Sequence, residues 1–132
     1  MKSSQNYERV SPRFINSLSD NEIFVFGSNL QGHHGGGAAL IAYEKFGAVW
    51  NEGVGLHGKT YAIPTMHGGV NEIKPYVDEF IDFAKENKQY KFLVTRIGCG
   101  IAGFKDHEIA PLFAKALELE NVYLPLSFLE YL

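Results

Sequence analysis

Eleven of the fourteen glycines in this chain lie between Gly27 and Gly69, and the other three are Gly98, Gly100 and Gly103. Glycine gives up more backbone entropy on folding than any other residue. Crowding it into two stretches therefore marks places where the chain takes positive φ or passes close to something. A flexible linker is the alternative, but strong apolar segments border both stretches, whereas a linker separates two cores. With 132 residues, 45% of them AVILMFWYC, the chain is expected to be one domain over residues 1–132, of which 1–20 are poorly patterned. A lone Cys99 forms neither an internal disulfide nor a four-cysteine zinc site, which points to a reducing, cytoplasmic setting.

The apolar runs between the glycines alternate in type. Ile23 to Phe26 is a short, continuously apolar, β-favouring run that stops at Gly27, as a strand covered on both faces does. Ala38 to Phe46 predicts a well-buried helix closed by Gly47. Thr60 to Pro64 predicts a second strand with its proline at the end, where a missing donor does least harm. Apolar residues at 73, 76, 77, 80, 81, 83 and 84 follow the 3.6-residue period and predict a helix over 71–88. Lys91 to Ile97 predicts a third strand, 106–119 a helix, Asn121 to Leu126 a last strand, and Phe14 to Leu18 a short helix. Strands alternating with helices imply an α/β fold, a three-layer α/β/α sandwich with a mixed, mostly parallel sheet.

Charge narrows the function. Twelve Lys and Arg against fifteen Asp and Glu give a net charge of -3, so the broad positive face that duplex binding requires is not expected. No window approaches the roughly 18 apolar residues of a membrane span, and the start MKSSQNYERV has no apolar stretch after its positive residues, so no membrane association is expected. A small anion remains open, because backbone amides need no lysine.

Two segments carry phosphate-binding patterns. Gly53 to Thr60 satisfies G-x-x-x-x-G-K-[ST] letter for letter, the pattern of a P-loop nucleotide hydrolase. That mechanism needs a loop that leaves a buried strand and opens a helix. Here the preceding Ala48 to Glu52 is a poor strand, and Tyr61 to Pro64 afterwards is itself strand-like, which makes the match a coincidence of a glycine-rich stretch. Gly98 to Gly103 fits G-x-G-x-x-G after a convincing strand and before a helix. Absent Cβ atoms let the main chain approach a diphosphate there, and a helix N-terminus adds amides and partial positive charge. Only one strand follows, so this is not the dinucleotide fingerprint of a first Rossmann strand; a tight turn without ligand is the plain alternative.

Taken together, Phe26-Gly27-Ser28-Asn29-Leu30, Gly35-Gly36-Gly37-Ala38-Ala39 and Gly98-Cys99-Gly100-Ile101-Ala102-Gly103-Phe104 resemble, in this order, the macro domain, the ADP-ribose-binding module. The resemblance covers about residues 22 to 126. It implies that Asn29 contacts the distal ribose, that Gly35, Gly36 and Gly37 let the backbone approach it, and that Gly98, Cys99, Gly100, Ile101, Ala102 and Gly103 wrap the diphosphate. Phe104 would wall the cleft near that ribose. An asparagine amide both donates and accepts toward vicinal hydroxyls, and a turn asparagine is the other reading of Asn29. Two departures stand out: residues 1–20 lack the Asp-Ile pair whose carboxylate reads the adenine amino group, and Cys99 stands where the pattern has serine or threonine.

Some relatives of that kind are hydrolases carrying a Gln-Glu-Glu cluster after the Gly-Gly-Gly. Here Glu44 follows Gly37 at a compatible distance, but Tyr43 and Lys45 flank it and the cluster is missing. His34, beside the glycine run, is the general-base candidate if water is activated, because imidazole titrates near neutrality. None of the five histidines falls in H-E-x-x-H spacing, so no metal and no cofactor is expected. The leading expectation is a cleft at the C-terminal strand ends that binds ADP-ribose or a related nucleotide diphosphate, free or on an ADP-ribosylated protein or nucleic acid. Hydrolysis of ADP-ribose from a target, or of phosphate from ADP-ribose phosphate, is the alternative.

Overall fold

The structure, a computed structural model, describes residues 9–132. The first eight residues of the poorly patterned segment lie outside the described residues. Five strands form one mixed sheet in the order β2-β3-β1-β4-β5. They are β1 (Glu22–Ser28), β2 (Gly55–His57), β3 (Thr60–Pro64), β4 (Lys91–Val94) and β5 (Val122–Tyr123). β1 pairs in parallel with β3 and with β4, β4 pairs in parallel with β5, and only β2 runs antiparallel, against β3. The sheet is thus α/β in type and mostly parallel, as the alternation of elements predicts.

Successive residues of a strand point to opposite faces, and β1 divides its side chains accordingly. Ile23 and Val25 join one apolar cluster with α2 (Val70–Lys85), α3 (Asp106–Ile109), the following 3-10 helix Ala110–Glu118 and α4 (Leu126–Leu129). Phe24 and Phe26 join a second cluster with Ala42 and Phe46, on the face covered by α1 (Gly37–Ile41) and the π-helical turn Ala42–Phe46. Both faces of β1 are therefore buried, which explains its uninterrupted apolar run. α2 contributes Ile73, Val77, Phe80 and Ile81 to the larger cluster, each removing enough apolar surface for about 1.5–3 kcal/mol.

Several elements differ from the sequence expectation for physical reasons. The helix from Ala38 holds α geometry only to Ile41, then widens into the π turn before Gly47 ends it at φ +95°. Only Ala42 and Phe46 are buried, and Ile41, Tyr43 and Glu44 face outward. The helix over 106–119 keeps α geometry for four residues and continues as 3-10, because Pro111 brings no N–H to the α ladder. β4 ends at Val94 rather than Ile97, and the last strand is only two residues long, with Leu126 beginning α4 instead. Phe14 to Leu18 forms no helix; five residues seldom repay the cost of nucleating one. Val10 instead bridges Leu124, beside β5.

Gly53 to Thr60 forms a hairpin: β2 returns directly into β3, with His57 opposite Thr60. No helix follows the lysine, so the segment lacks the amide cradle a P-loop requires.

Candidate functional site

The chain leaving β1 crosses to the α1 face, and the chain leaving the adjacent β4 crosses to the α3 face. Divergence of two neighbouring connections opens a crevice at the C-terminal strand ends, the usual ligand position in such sheets. A cleft of about 220 Å³ lies there. Asn29, Gly36 and Gly37 line one wall and Gly98, Gly100, Ile101 and Ala102 the other, so the two glycine-rich bends meet. Ile101 leans across, with its Cδ1 3.4 Å from where a Cβ on Gly36 would stand.

The first bend is tied down from every side. The Ser28 hydroxyl donates to the Gly53 carbonyl, the Thr65 N–H to the Ser28 carbonyl at 2.9 Å, and the Leu30 N–H to His67 Nε2 at 2.8 Å. The Asn29 side chain spans its own turn: Oδ1 accepts the His33 N–H at 2.8 Å and Nδ2 donates to the His33 carbonyl at 3.0 Å. Asn29 is thus a turn asparagine that also lines the cleft, with one amide hydrogen left over.

The second bend is held by side chains. The Arg96 guanidinium donates to both Asp106 oxygens, at 3.0 and 2.7 Å, and Ser127 donates to the same carboxylate at 3.0 Å. This hydrogen-bonded pairing holds the Asp106 carboxyl below its ordinary range and pushes the Arg96 guanidinium above its own. The Phe104 N–H returns to the Gly98 carbonyl at 2.8 Å. The N–H groups of Gly100, Ile101 and Ala102 have no acceptor among the described residues, so the loop presents donors without partners.

Other expected site residues stand elsewhere. Gly35 and Gly103 do not line the cleft. Cys99 and Phe104 border a shallower polar hollow on the far side of the second bend, with Phe104 packed against the large core. Burial and, after it, the nearby Asp106 push the Cys99 thiol up to about 11, so it stays a neutral packing group at physiological pH. His34 is fully buried outside the cleft. Its Nε2 donates toward the Val49 and Glu52 carbonyls at 2.9 and 3.2 Å, and its Nδ1 meets no donor among the described residues. That ring is a structural support with no path to a substrate water, which corrects the general-base reading. Glu44 is exposed on the π turn and also lies outside the cleft.

Sequence reasoning missed His33, Thr65, Thr95 and Arg96, all of which line the cleft. The signal was available for the last three: polar residues directly after an apolar parallel strand sit at its C-terminal end, where such sheets bind ligands. Thr95 and Arg96 also border a second cavity of about 610 Å³, between residues 10–13 and α4. Ser11 lines that cavity with a buried hydroxyl that has no partner among the described residues. No group of three or more His, Cys, Asp or Glu able to hold a metal ion occurs among the described residues, and no described helix is long and apolar enough to cross a membrane.

Comparison of the chain with known protein families, with curated proteins and with solved structures gives no match.

Proposed function

We propose that this chain is a macro-like, three-layer α/β/α domain that binds ADP-ribose or a related nucleotide diphosphate, as a reader of the free ligand or of ADP-ribosylated targets. The observation that carries this reading is the meeting of two separate glycine-rich bends in one crevice, where Gly36 and Gly37 stand across from Gly98 and Gly100. The unpartnered N–H groups of residues 100–102 and the first N–H groups of α1 supply donors for phosphate oxygens. Arg96, the one permanent cation lining the cleft among the described residues, is already paired with Asp106, so amides carry the anion.

At about 220 Å³ the cleft is smaller than the roughly 300–1,000 Å³ typical of whole-ligand pockets. It suits a diphosphate and one sugar. The neighbouring 610 Å³ cavity, reached past Thr95 and Arg96, suits the remaining nucleoside. Binding is preferred over hydrolysis because neither His34 nor Glu44 reaches the cleft.

Calorimetric titration with ADP-ribose and with ATP-magnesium tests the proposal. ADP-ribose is expected to bind at one site, and Gly100→Val to weaken it at least about a hundredfold, because the new side chain enters the space a phosphate needs. Tight ATP-magnesium binding without ADP-ribose binding, or an unchanged affinity in Gly100→Val, overturns the reading. Release of sugar nucleotide from an ADP-ribosylated protein above the uncatalysed rate would make the chain a hydrolase instead.

A further inference from the structure

Next to His33 on the cleft wall stands a group of exposed rings that the diphosphate reading does not use. His33, which lines the cleft, stacks on Trp50 with centroids 5.5 Å apart and planes 14° from parallel. Tyr43 meets Trp50 edge-on at 5.4 Å. Trp50 is 40% and Tyr43 43% exposed, a large aromatic surface to leave in water.

These rings are held from below. The buried His34 ring lies edge-on to Trp50 at 6.1 Å and to Phe26 at 5.4 Å, and its bonds to the Val49 and Glu52 carbonyls fix the segment that carries Trp50. Asn29 grips the His33 peptide on both sides, and the Asn51 N–H bonds the Gly32 carbonyl at 3.0 Å. An exposed stack so firmly positioned is preorganised to receive another ring.

We propose that the His33–Trp50 stack is a second subsite that takes a cationic, N-ribosyl aromatic ring, the pyridinium of a nicotinamide dinucleotide. The inference rests on the cleft holding a ribosyl diphosphate with its sugar beside Asn29, since Asn29 and His33 line the same space and a ring on the anomeric carbon then meets the stack. Charge selects the kind of ring. The described cation-ring contacts lie elsewhere, Arg13 on Phe14 and Lys91 on Tyr123, so no cation among the described residues occupies Trp50 or Tyr43. The same segments carry Glu44 and Lys45, which balance, and Glu52, whose carboxylate lies 3.7 Å from His57 Nε2. Electron-rich ring faces favour a cation over a neutral ring.

Trp50 is the only tryptophan, so its emission reports on the subsite directly. The full chain is titrated with ADP-ribose, NAD+ and diadenosine diphosphate, following both heat and emission. NAD+ is expected to bind about tenfold more tightly than ADP-ribose and to quench Trp50. Trp50→Leu should bring the ratio of the two affinities to about one, and Trp50→Phe should keep most of it. Equal affinities with unchanged emission, while ADP-ribose still binds, overturn the subsite and leave the cleft reading standing. Loss of all binding removes the cleft reading and the subsite with it. Diadenosine diphosphate binding as tightly as NAD+ overturns the choice of a cationic ring in favour of a neutral base.

Discussion

Both bends are rich in glycine, yet the glycines in and around them do two kinds of work. Around the first bend, a methyl on Gly53 would fall on the Asn29 carbonyl, and one on Gly32 would fall on the Asn51–Glu52 peptide. In the second bend, Gly100 and Gly103 have nothing within 4 Å of a Cβ position, and the same holds for Gly35 and Gly37 on the opposite side. One set of glycines exists because backbone already lies against it. The other faces open space, and a positive φ accounts for Gly37 and Gly103. Glycine content alone therefore does not identify a ligand loop: Gly55 in β2 has the same open surroundings and does not line the cleft.

The sharpest way to break this distinction is Gly53→Ala. It forces two backbones apart and is expected to cost about 3 kcal/mol or more, read from a urea unfolding curve. A well-folded variant of unchanged stability would show that the first bend is not clamped. Next comes His34→Leu, which leaves the Val49 and Glu52 carbonyls without their donor; about 2 kcal/mol should be lost, with a change in the near-ultraviolet circular dichroism of Trp50.

Asp106→Asn probes the side-chain clamp of the second bend. The partners are partly exposed, so about 1 kcal/mol is expected at neutral pH. Because Arg96 holds the folded carboxyl below its ordinary value, this contribution is complete above about pH 4, the unfolded range, and is lost as pH falls through the lower folded value. The variant should accordingly show a flatter decline of stability in acid. The smallest effect belongs to Gly100→Ala, whose stability should stay within about 0.5 kcal/mol of the parent. A larger loss would mean that this glycine too is a packing residue.

Much of the sheet was legible because β1, β3 and β4 are short apolar runs buried on both faces, where composition alone is a strong signal. β2 was not. Its Gly55, Leu56 and His57 have no pattern of their own and become a strand only through pairing with β3. The strand expected over Asn121 to Leu126 stops early because Pro125 caps the single turn Leu126–Leu129. At the site, the meeting of Asn29, Gly36 and Gly37 with Gly98, Gly100, Ile101 and Ala102 was implied by the resemblance alone, and the pairing of β1 with β4 produces it. The displacement of Phe104 and Cys99 to the far side was not legible, because the direction of each side chain depends on how the Gly98 to Gly103 turn coils. Burial of His34 was equally illegible: histidine is amphipathic, and two backbone carbonyls from a distant loop decided its role.

The strand order has a last consequence. β2 and β5, the outermost strands, are three and two residues long, and the Val10 bridge to Leu124 continues past β5. Each border of the sheet therefore offers few free amides and carbonyls for a stranger's strand to zip onto, so a domain with so apolar a centre presents little template for aggregating edge to edge.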